Sequence, residues 1–160
     1  MQWRTVAGTA LCVGGLLALR LWVVEPITVS SDSMEPTVAA GSVVWLDKAG
    51  PRLTGVQPGR LVVFTGPDDG EMPNEALLLK RVVATQGQTV AIRDGVLYID
   101  GLEAREAYVN RRTIDGVYFG TVTVPPGHLF VLGDNRENSI DSRDFGPIPV
   151  SALQGAVLGR

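Results

Sequence analysis

Three serines fall within four positions, Ser30, Ser31 and Ser33, in the stretch SSDSMEPT (30–37). A serine hydroxyl attacks a carbonyl only when a base takes its proton and donors hold the oxyanion that forms. The candidate bases are few: one histidine, His128, and two lysines, Lys48 and Lys80. His128 follows the turn PPG and opens the apolar HLFVL, and no local motif supplies the carboxylate a triad histidine needs. Lys80 sits inside the apolar run ALLLKRVVATQG (76–87). Strand alternation predicts that Leu78, Val82 and Ala84 share its face. Desolvation there would lower the pKa of the ammonium, and a neutral lysine can serve a serine as base by itself. Shifting an amine from about 10.4 to near 7 costs roughly 4–5 kcal/mol. A lysine in such a run is therefore retained as a base, pairs with a carboxylate, or stretches its head to water. Position alone leaves these open.

Ser31 precedes Ser33 by two residues, so in an extended segment both hydroxyls face one side, and Pro36 biases Glu35 away from helix. A plain serine-rich turn fits a bare S-x-S equally well. The stretch GDNRENSIDSRDFGPIP (133–149) adds weight, being too irregular for a strand and too polar for a core. Asp134, Arg136, Asp141 and Arg143 could form an ion-pair network that fixes a loop, with Ser139 a neutral partner for a lysine amine. A capped turn is the simpler alternative.

The elements that must position these groups are mainly strands. After Pro26, β-branched runs (ITVS, SVVWL, RLVVF, TVAI, VLYI, VYFGTVTV, HLFVL) alternate with Gly- and Pro-rich punctuation. TVAIRDGVLYIDG reads as a hairpin turning at Asp94-Gly95. No helical period of useful length follows residue 26, so an all-β domain over 26–160 is predicted, as a barrel or a coiled sheet that hides its edges. TGPDDGEMPNE (65–75) reads as a mobile surface loop. Residues 1–25 stand apart. Val6–Val24 carries Arg20 as its sole charge, about 28 Å as a helix, with Arg20 and Trp22 at its end. That predicts a retained single-pass membrane anchor over a cleaved leader, because no small-x-small site follows. Charge alone does not fix its orientation.

At 160 residues the chain has room for one domain with a real core, and 45% hydrophobic residues with net charge −3 exclude a disordered tail. No basic cluster suits nucleic acid. A lone cysteine, Cys12, with a lone histidine rules out an intrachain disulfide and speaks against a zinc site.

Four segments together, SDSMEPT (31–37), PGRLVVF (58–64), KRVVATQG (80–87) and GDNRENSIDSRDFG (133–146), resemble the bacterial type I signal peptidases, in that family's order and spacing. The resemblance covers roughly residues 21–150. It implies a coiled antiparallel β-domain on the extracytoplasmic side of the cell membrane, held by one N-terminal transmembrane helix. It implies Ser33 as nucleophile, Lys80 as general base, and Ser31 with the Ser33 N–H as the oxyanion hole. Ser139 would position the lysine amine, and Asp141 and Arg143 would form a supporting ion pair. Ile27, Val29, Leu78 and Val82 would border shallow pockets for small substrate side chains. Secretory preproteins and the lipid bilayer are the implied partners, with no metal, no cofactor and no nucleic acid. Gly59-Arg60 and Gln86-Gly87-Gln88 depart from the Gly-Asp and Pro-Gly-Asp common at those places, outside any proposed chemical role. A relative dedicated to a narrow, pilin-like substrate and a non-catalytic membrane assembly scaffold are the other readings. The scaffold predicts a missing serine or lysine, and both are present.

Overall fold

The computed structural model describes residues 23–67, 76–109 and 118–159. The expected anchor lies almost wholly outside the described residues, as does most of the 65–75 loop. Among the described residues no helix is long and apolar enough to cross a membrane.

The β-branched runs become the strands β1 (Val24–Thr28), β2 (Val43–Asp47), β3 (Leu61–Thr65), β4 (Leu77–Thr85), β5 (Thr89–Arg93), β6 (Val96–Ile99), β7 (Leu102–Glu103), β8 (Phe119–Thr123), β9 (His128–Leu132), β10 (Ile148–Pro149) and β11 (Leu153–Val157). Two short helices interrupt them, α1 (Gly50–Thr54) and α2 (Ser142–Phe145), and a 3-10 turn spans Val150–Ala152. A seven-stranded sheet has the order β1-β2-β11-β3-β4-β9-β10, and a four-stranded sheet the order β7-β6-β5-β8. Among the described residues every strand pairing is antiparallel, and the strands form two open sheets and not a closed barrel. Two of the outer strands, β7 and β10, are two residues long, which leaves little free edge to template aggregation.

Local chemistry accounts for the pieces. Asp94 and Gly95 both take positive φ (51° and 74°), the backbone of the tight two-residue turn that their sequence predicts. β2 alternates, with Val44 and Leu46 inward and Val43 and Trp45 outward, whereas β3 is buried on both faces. β1 begins at Val24, just inside the expected anchor, because Val24 and Glu25 pair with Asp47 and Leu46 of β2, and Glu25 also ion-pairs with Lys48.

Three apolar clusters hold the sheets. The first gathers Val62, Phe64, Val82, Leu129 and Val131 on β3, β4 and β9, with Ile148, Leu153 and Ala156. The second joins the end of β4 to the smaller sheet through Ala84, Val90, Ile92, Leu97 and Phe130. The third packs Val29, Met34 and Val38 under β2 and β3. A register shift in the β4–β9 pairing between Val82 and Ala84 corrects the strand-alternation expectation. It turns Ala84 into the second cluster, away from the face that Lys80 shares with Val82.

Candidate active site

Two segments distant in sequence meet at Ser33. Beyond β1 the chain does not stay extended: it turns through residues 32–38, with Glu35 N–H donating to Asp32 C=O (3.0 Å) and Val38 N–H to Met34 C=O (2.9 Å). The wholly buried Met34 anchors this turn in the third cluster, so the position after Ser33 is fixed by packing. The Ser31 and Ser33 hydroxyls lie 3.2 Å apart, the proximity expected of them, though reached through a turn.

β4 delivers the second component. Lys80 is 3% exposed and its Nζ lies 2.8 Å from Ser33 Oγ, a buried hydrogen bond across 47 residues of sequence. Among the described residues Lys80 makes no ion pair. Burial pushes its pKa below the ordinary 10.5, and Asp141 opposes that shift while Arg143 adds to it. Among the described residues this lysine therefore neither pairs with a carboxylate nor reaches to water.

The loop after β9 supplies the frame. Asp141 is the N-cap of α2: its side chain accepts from Arg143 N–H, and the Asp144 carboxylate accepts from Asp141 N–H in return. The same carboxylate pairs with the Arg143 guanidinium at 2.9 Å and accepts from Gly133 N–H at 2.9 Å, tying the loop's two ends together. Phe145 then docks α2 edge-on against Phe64, ring centroids 6.2 Å apart. Arg143 also donates to the Ser139 carbonyl (3.2 Å). Ser139 Oγ itself is buried without a hydrogen-bond partner among the described residues, so the expected contact to the lysine amine is not formed here. Burying a hydroxyl unsatisfied costs about 1–3 kcal/mol.

Asp134 and Arg136 find partners outside their own loop. Arg81 grips Asp134 with two hydrogen bonds (2.8 and 2.6 Å) and donates to Gly59 C=O (2.7 Å), while its guanidinium lies 3.8 Å from the Tyr108 ring centre. Arg136 pairs with Glu106, and Tyr108 donates to the same Glu106 carboxylate at 3.2 Å. Sequence reading missed Glu106 and Tyr108. An acid in EAREAYV carries no local sign of pairing with a loop 30 residues on.

The expected substrate-contacting residues divide. Ile27, Val29 and Leu78 line a cleft of about 190 Å³ beside Ser31, together with Val44, Val63, Leu77 and Leu79. Val82 does not belong to it. It is fully buried in the first core cluster and pairs with Val131, so it cannot touch a bound chain. A larger cleft of about 280 Å³, beside Lys48, Pro51 and Val150, includes none of Ser31, Ser33 and Ser139.

Residues 1–159 match the family model described as signal peptidase, peptidase S26. Over 149 residues the chain is 36% identical to a probable signal peptidase I-1 of Synechocystis sp., covering 90% of this chain and 74% of that protein. It is 34% identical to signal peptidase I T of Bacillus subtilis, over 86% of this chain and 74% of that one. Against signal peptidase I of Mycobacterium tuberculosis the identity is 33%, and the chain spans 57% of that longer relative. A crystal structure of a signal peptidase I from Enterococcus faecalis superposes with TM-score 0.55 at 32% identity, covering 63% of this chain and 95% of that one.

Proposed function

The chain belongs to the S26 family of signal peptidases, and from that premise we propose that it is a membrane-anchored serine endopeptidase that removes signal peptides from exported preproteins with a Ser33/Lys80 dyad. The observation that carries this reading is the buried 2.8 Å contact between Lys80 Nζ and Ser33 Oγ, made by an amine whose burial disfavours its charge.

With Lys80 neutral, the Ser33 O–H donates to the nitrogen lone pair. As Oγ bonds to the scissile carbonyl carbon, the proton passes to Nζ and the carbonyl oxygen becomes an oxyanion. Ser31 Oγ and the Ser33 N–H are its donors. Collapse of the tetrahedral species breaks the C–N bond, and the new Lys80 ammonium returns its proton to the leaving amine. Water then attacks the ester on Ser33, again giving up a proton to Nζ, and the acid leaves with Ser33 Oγ reprotonated. While charged, the ammonium can be held by the idle Ser139 hydroxyl. The Asp141–Arg143 pair keeps that loop in place.

The substrate lies extended along the cleft between the end of β1 and β4, using backbone hydrogen bonds for affinity and small side chains to fit about 190 Å³ of apolar space. The apolar run that ends at β1 anchors the domain to the bilayer, close to where a leader's cleavage site emerges.

The test is cleavage of a preprotein by the detergent-solubilised protein, with sequencing of the new amino terminus. Ser33→Ala and Lys80→Arg should each lose cleavage by at least about a hundredfold, Ser33→Ala while melting near the parent temperature and Lys80→Arg at a cost in stability, since a guanidinium cannot become a neutral base and must be buried charged. A folded Lys80→Arg protein that still cuts at a substantial rate would remove the dyad.

A further inference from the structure

Asn135 sits beside the nucleophile without touching Ser33 Oγ or Lys80. Its backbone N–H donates to Ser33 C=O at 3.0 Å, and its side-chain Nδ2 donates to Asp32 C=O at 3.3 Å. One residue therefore holds both peptide units that flank the Cα of Ser33. The second of these contacts has a particular consequence. The Asp32 carbonyl and the Ser33 N–H belong to the same peptide, which is trans. In a trans peptide the C=O and N–H lie in one rigid plane and point in opposite directions, so fixing the carbonyl fixes the direction of the N–H. A hydrogen bond to the carbonyl also polarises the unit and makes its N–H a better donor.

Two neighbours brace the same two residues. Asn138 Nδ2 donates to both Asp32 carboxylate oxygens (3.0 and 2.9 Å), and Gly133 lies so close to the Ser33 carbonyl that an added Cβ would stand 2.7 Å from it. Asp32 and Asn135 are both half-buried, so water competes for the Asn135 bond less than it would at the surface.

We propose that Asn135 is a positioning residue for the oxyanion hole: its side-chain amide, through the Asp32 carbonyl, aims and polarises the Ser33 N–H at the oxygen that gains charge in the transition state. This rests on the reading of Ser33 as nucleophile. The bond contributes when charge develops on that oxygen and not when substrate merely binds. Its loss acts on kcat and leaves KM in place.

The experiment is steady-state cleavage of a signal-peptide substrate by Asn135→Ala in the full chain, with rates normalised to the folded fraction from a thermal melt. Losing a whole oxyanion donor costs about a hundredfold to a thousandfold in kcat, so a donor left in place but poorly aimed should cost about tenfold to a hundredfold. KM should stay within about twofold, and the acidic limb of the kcat/KM pH profile should not move, because Lys80 is untouched. An unchanged kcat overturns the proposal. So does a fall in kcat accompanied by a shifted limb, which would mark general distortion of the loop around the lysine. If Ser33→Ala is inactive while Asn135→Ala runs at full rate, only this inference fails. If Ser33→Ala retains activity, the nucleophile assignment fails first.

Discussion

Ser33 and Lys80 show what a residue's surroundings add to its type. A serine after two others is a turn former by default, and a lysine in an apolar run snorkels by default. Here the two meet in one buried space, and on the proposed reading each is reactive only through the other. Gly133 is a subtler case. Its own N–H is held by Asp141, and its Cα faces Ser139 and the Ser33 carbonyl with no room to spare. A methyl group there would stand 2.5 Å from Ser139 Cβ and 2.7 Å from Ser33 O, and nearer still to Ser139 Oγ. Gly133→Ala should therefore push the two loops apart, at about 1–3 kcal/mol of stability for an overpacked site. Cleavage should fall far more than folding. Urea denaturation and preprotein cleavage measured side by side check this, and a Gly133→Ala protein with parental activity would show that the loops yield without cost.

At the scale of elements, β4 organises the site. Its even residues send Lys80 to Ser33 and Val82 into the core, and its odd residue Arg81 reaches Asp134 in the loop that also carries Ser139 and Asp141. The segment 104–109 then locks that loop from the side of the smaller sheet, through Glu106 on Arg136 and Tyr108 on Arg81. Arg136 and Glu106 are both buried, so removing one partner leaves a charge stranded. Glu106→Ala should cost about 3–5 kcal/mol of unfolding free energy, read from chemical denaturation, and a loss below about 1 kcal/mol would mean the pair is not buried in solution. Much of this layer was legible in advance. The strands follow from β-branched runs, and the Asp94-Gly95 turn from the φ values its residues favour. The bulge at Val82/Ala84 was not, because strand alternation carries no mark of an inserted residue, and it is why Ala84 lies on the unexpected face. The error over Val82 has a different source: a residue on the base's face need not reach the cleft when the strand runs on into the core.

For the whole molecule, the functional reading rested on four short segments spread from residue 31 to residue 146, and the fold brings two of them, around Ser33 and Lys80, to one buried contact. What the sequence could not display was pairing at a distance. The partners of Asp134 and Arg136 lie 53 and 30 residues away, and nothing local marks either. Sheet closure was equally hidden, since short strands with Gly and Pro turns suit a barrel and two open sheets alike.

The central claim is that the fold lowers the pKa of the Lys80 ammonium, and so favours the neutral amine, by excluding water from it. Because Lys48 and Lys80 are the only two lysines in the chain, the claim can be read directly. In protein labelled with carbon-13 at lysine Cε, a Lys48→Arg background leaves one resonance to follow against pH. The account predicts that this Lys80 resonance titrates below the ordinary 10.5, because desolvation outweighs the attraction of Asp141, and that its midpoint coincides with the acidic limb of the cleavage profile. A Lys80 signal titrating at or above 10.5 would contradict it.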